Sequence, residues 1–151
     1  MKSGVVFHGS ATHCIETVEP RRNLRIQTHS GKEVTVFDQH SFHATVHRWI
    51  ALAYTDTTTP TCAMGVDLYG DPADKVVGIY GPDSLEASLQ RMYGKGGYLY
   101  SFCATHFFHT TGLGNLELIT KDPIRPLSVL HIQDPVGAMK AEGVTFEFMR
   151  R

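Results

Sequence analysis

Hydrophobic and polar positions change period often along this chain. The apolar run at residues 5–7 predicts a short strand near the N-terminus, with "GSATHC" as its polar exit. "EPRRNLRIQTHSGKE" sustains no period and reads as a polar, turn-rich connection. Residues 34–37 and 42–45 have strand character. In "VHRWIALAYT", residues 46–55, the period lengthens: Trp49, Ile50, Ala53 and Tyr54 fall at helical spacings, with Val46 one turn earlier. Pro60 and the threonines of "TDTTTPTC" end that helix. "AMGVDLY" and "KVVGIY" then predict a hairpin around the turn "GDPAD".

Asp83 stands as the N-cap of a second helix, because Glu86 completes a capping box and Leu85, Leu89 and Met92 share a face until Gly94. "YLYSFC", "NLELIT" and "LSVLHI" follow as strands, the last two separated by Pro123 and Pro126. Asp134, Pro135 and Gly143 mark the start and stop of a third helix before a final strand, "VTFEFM". Strands and helices do not alternate regularly. The expected fold is therefore α+β, with mixed or antiparallel sheets and about three helices.

Composition narrows the picture. The 151 residues, 42% of them hydrophobic, suit a single domain spanning 1–151 around one core. A net charge of -1 with dispersed Lys and Arg gives no electrostatic footprint for nucleic acid or an anionic membrane, and favours a small molecule or a local protein contact. No stretch reaches membrane-spanning length and the N-terminal apolar run is too short for a signal peptide, so a cytoplasmic protein is expected. Cys14, Cys62 and Cys103 are widely spaced, which suits neither a disulfide framework nor a zinc knuckle and implies a reducing compartment. Cys62 and Cys103 read as small core residues.

Histidine supplies the first candidate chemistry. On a helix, His40, His43 and His47 would share one face and suit zinc, as in a His-rich metal hydrolase. The surrounding residues read as extended, however, and a strand sends His40 and His43 to opposite faces, so no metal is expected. His13, His29, His106, His109 and His131 read as satisfied or solvated. Cys14 beside His13, and Cys103 near His106, lack an orienting third group. "GLGNLE" and "GKGG" lack the strand-to-helix setting of nucleotide-binding loops and read as turns.

What remains is His8-Gly9 at the end of the first strand, "FHAT" leading into "VHRWIALAYT", and Glu117 within "NLELIT". In this order the chain resembles the ADP-ribosyltransferase-like superfamily, and within it the poly(ADP-ribose) polymerase type. There, a His-Gly, an aromatic-small pattern before a helix, and a late glutamate line one cleft. Phe42, Ala44, Ala51 and Tyr54 follow the second pattern, with the last aromatic one position late and His43 where an aromatic is common. The resemblance spans roughly residues 5–55 and 97–132.

The resemblance implies NAD as substrate. It places His8, Gly9, Ser10, Phe42 and Tyr54 at the nucleotide, with His8 on a ribose hydroxyl, the Gly9 backbone on the carboxamide, and Tyr54 or an aromatic of "GYLY" on the nicotinamide ring. Glu117, catalytic together with His8, would bond a ribose hydroxyl or face the positive charge that develops as nicotinamide leaves. A protein or nucleic-acid end is the implied acceptor. Glu117 equally suits a plain salt bridge, and a catalytically silent module binding a nucleotide, ADP-ribose or a protein segment is the alternative.

Overall fold

A computed structural model describes residues 4–12 and 18–151; His13 and Cys14 lie outside them. Among the described residues, three three-stranded sheets and three α-helices make up an α+β fold. The first sheet joins β1 (Val5–Ser10), β6 (Gly97–Cys103) and β8 (Ser128–Ile132) in the order β1-β6-β8, all antiparallel. The second joins β2 (Arg21–His29), β3 (Lys32–Ala44) and β7 (Leu118–Thr120). The third holds β4 (Ala63–Gly65), β5 (Val76–Gly81) and β9 (Thr145–Arg150), antiparallel at β4-β5 and parallel at β5-β9. The helices are α1 (Arg48–Ala53), α2 (Leu85–Tyr93) and α3 (Pro135–Ala141). None is long and apolar enough to cross a membrane.

α1 is buried along Trp49, Ile50, Ala51, Leu52 and Ala53, so it forms the middle of the core instead of covering one side of it. Val77 and Ile79 of β5, Met92 and Tyr93 of α2, and Met139 of α3 pack around it. Each fully buried side chain of this kind contributes roughly 1.5–3 kcal/mol through removal from water. An ion pair between Arg48 and Glu142 links the start of α1 to the end of α3. A second cluster, Val6, Ala44, Tyr100 and Phe102, lies under β1 and β6.

Several expectations change. The "RRNLRIQTH" stretch is strand β2, paired with β3, and not a turn-rich connection. The two short strands expected at 34–37 and 42–45 are one strand, β3, with a register shift opposite Arg25 and Ile26. Ser84, not Asp83, caps α2 by accepting from the Ala87 N–H, which leaves Asp83 to pair with Arg91. The strand within "NLELIT" begins only at Leu118, immediately after Glu117. Cys62 is buried as expected, whereas Cys103 is partly exposed at the end of β6.

Candidate functional site

The site begins where two strands part. Phe7 and Thr45 exchange both backbone hydrogen bonds, at 2.7 and 3.0 Å, and form the isolated bridge that joins β1 to the end of β3. From there β1 runs on to Ser10 and β3 runs back toward Ser41 without a further bridge between them among the described residues. A cavity of about 620 Å³ opens in the fork. Backbone groups alternate sides along a strand, so Gly9, two residues beyond Phe7, directs its N–H and C=O off the edge that faces this fork.

Gly9 also has a packing role. A Cβ at this position would lie 1.8 Å from the Ala51 carbonyl oxygen and 3.1 Å from the Thr55 nitrogen. Only glycine lets β1 approach the end of α1 this closely. That approach brings Tyr54, the C-cap of α1, to the cavity wall. Tyr54 is 40% exposed. Partial burial and then the nearby Glu117 charge hold its hydroxyl above the ordinary value, so it is neutral.

His8, on β1, is fixed by two residues of β3 across the fork. Its Nδ1 lies 2.8 Å from the His43 carbonyl oxygen, and its ring packs on Phe42 at 4.3 Å between centroids. A carbonyl only accepts, so Nδ1 carries the proton and Nε2 is left as an acceptor. Burial pushes His8 below its ordinary value and outweighs the favourable bond to that carbonyl. The ring is neutral near pH 7. Phe42 contacts His8, Phe102 and Phe107, so it lines the cavity chiefly as the support of His8.

Glu117 is 6% exposed and ionised. Burial alone would raise its carboxyl, but hydrogen bonds from His43 and Arg25, reinforced by the Arg25 charge, hold it below the ordinary value. Arg25 bonds both carboxylate oxygens, Nη1 to Oε1 at 3.1 Å and Nη2 to Oε2 at 3.0 Å. His43 Nδ1 meets Oε2 at 3.0 Å, and its Nε2 lies 2.9 Å from Ser41 Oγ. Asn23 donates to the Ser41 carbonyl at 2.7 Å. The salt bridge considered for Glu117 is therefore present, inside the cavity wall.

His8, Gly9, Ser10, Phe42, Tyr54 and Glu117 all line this one cavity. His40, on the opposite parity of β3 from His43, is exposed, and His47 lies beyond the strand at the start of α1, so the three imidazoles do not gather. Sequence reading missed Arg25 and Ser41, and singled out His43 only as a zinc candidate and as a departure from the aromatic pattern. Their signal was the alternation Arg21, Asn23, Arg25 on one strand face and Ser41, His43 on the next. It becomes visible only once β2 is recognised as a strand. No family model, no curated protein and no solved structure matches the chain.

Proposed function

We propose that the fork between β1 and β3 binds NAD and cleaves the bond between nicotinamide and its ribose. The ADP-ribosyl group then passes to water or to a protein or nucleic-acid acceptor. The bonding electrons leave with nicotinamide, positive charge develops on the ribose carbon, and the acceptor oxygen or nitrogen adds there and loses its proton. The observation that supports this reading is the gathering of His8, Gly9, Tyr54 and Glu117, from distant parts of the chain, around one cavity. Its volume falls within the roughly 300–1,000 Å³ usual for small-molecule sites.

Each group has a role suited to its environment. The N–H and C=O of Gly9 pair with the nicotinamide carboxamide, as a second strand would. His8 Nε2, bare and neutral, accepts from a ribose hydroxyl. Tyr54 gives the nicotinamide ring an aromatic face. Glu117 sets a fixed negative charge beside the developing cation, in a wall where water screens it little.

Calorimetric titration with NAD tests the binding part. Wild-type protein should bind, and His8→Ala should bind roughly 3- to 10-fold more weakly, the share of one net hydrogen bond. A wild-type protein that takes up no NAD at millimolar concentration overturns the proposal. The Arg25–Glu117 pair favours a second reading, a silent module that recognises a nucleotide or ADP-ribose, because it occupies both carboxylate oxygens. That reading predicts binding without nicotinamide release.

A further inference from the structure

His43 is where this chain departs from the polymerase-type pattern, which commonly carries an aromatic there. Its ring is tied at both nitrogens, to Glu117 and to Ser41, and Phe37 meets it edge-on at 5.7 Å. A carboxylate only accepts, so Nδ1–H donates to Glu117 whichever way the Ser41 hydroxyl turns. The same residue's backbone carbonyl accepts the hydrogen bond from His8 Nδ1–H. Both halves of the site therefore meet at His43.

The lone pairs of Glu117 can be counted. An ionised carboxylate offers about four acceptor directions. Arg25 takes one on each oxygen and His43 takes the second on Oε2, which among the described residues leaves one direction, on Oε1. The two anchors differ in kind. Arg25 reaches in from β2 with its side chain 41% exposed, whereas the His43 side chain is 18% exposed. His43 also stands on β3 opposite Ile119 of β7, the strand that Glu117 leads into.

We propose that His43 is a positioning residue for Glu117, holding the carboxylate so that its remaining Oε1 direction meets the substrate ribose, an inference that rests on the NAD reading above. The imidazole does here what an aromatic cannot, because a phenyl or phenol ring has no donor at the Nδ1 position. Arg25 then acts as the exchangeable partner, free to follow the substrate while His43 keeps the carboxylate aimed.

The test compares His43→Phe with His43→Asn. Phenylalanine restores the aromatic of the pattern but removes the donor; the asparagine amide nitrogen stands close to the place of Nδ1. His43→Phe should lose roughly 10- to 100-fold in turnover for nicotinamide release, the scale of a small misplacement at a reacting centre, with KM changed far less. His43→Asn should recover most of it. Independently of NAD, carbon-13 NMR of labelled glutamate should show the Glu117 carboxyl titrating at higher pH in His43→Phe than in wild type or His43→Asn. Should His43→Phe not fold, His43→Gln replaces it, since the longer amide reaches Ser41 and not Glu117. An unchanged Glu117 titration in the donor-less variant, or full turnover in it, overturns the proposal. A wild-type protein that releases no nicotinamide counts against the NAD reading alone, and the titration then decides whether His43 holds Glu117.

Discussion

His8 is a neutral ring in a crowded place, and this makes a prediction about pH. Its folded value lies below the ordinary 6.5, so the unfolded chain binds a proton on His8 before the folded protein does. Its contribution to stability is complete above the unfolded value and is lost as pH falls from there toward the folded one. Chemical denaturation of wild type and His8→Gln across that window should show the wild type losing more stability as pH falls. His47 titrates in the same direction, so the difference between the two proteins carries the result. Equal pH dependence would mean that His8 is not held neutral. At this scale His8 and Glu117 were legible, one from the His-Gly after an apolar run, which lies within β1 and not at its end, and the other from its late position. His43 was legible only as a departure, because the spacing of three histidines suggests zinc until the strand separates them.

At the scale of elements, the fork depends on how closely α1 approaches β1. Gly9→Ala would set a methyl group against the Ala51 carbonyl oxygen at 1.8 Å, a clash with backbone that no side-chain rotation relieves. Overpacking of this kind costs about 1–3 kcal/mol. Thermal unfolding should therefore show a melting temperature several degrees lower, at about 2–4 °C per kcal/mol for a chain of this size. An unchanged melting temperature would show that α1 does not rest on Gly9. Glycine at this position thus answers to the helix as well as to any ligand. Helical spacing of Trp49, Ile50 and Ala53 announced α1 as a helix with one buried face over 46–55, whereas α1 is shorter, Arg48–Ala53, and is buried at every residue from Trp49 to Ala53. β2 escaped notice altogether. Arg21, Asn23 and Arg25 line the cavity while Leu24 and Ile26 are exposed, so no buried apolar face imposes alternation on the strand.

At the scale of the whole molecule, three stretches that are far apart in sequence meet only because β3 bridges β1 at Phe7–Thr45 and pairs with β7 on its other edge. The α+β class could be read from the irregular order of strands and helices. The sheet partners could not, since Glu117 reaches the fork through the short β7 and is held there by an arginine from an unforeseen strand. If the fork cleaves NAD, Glu117 acts in the transition state and not only in a structural ion pair. The most direct measurement is the steady-state rate of nicotinamide release from NAD by wild type and by Glu117→Gln, with binding measured alongside. Losing one preorganised electrostatic partner should lower turnover by roughly 100- to 1,000-fold while NAD affinity stays nearly constant. Release by Glu117→Gln at the wild-type rate would contradict this role.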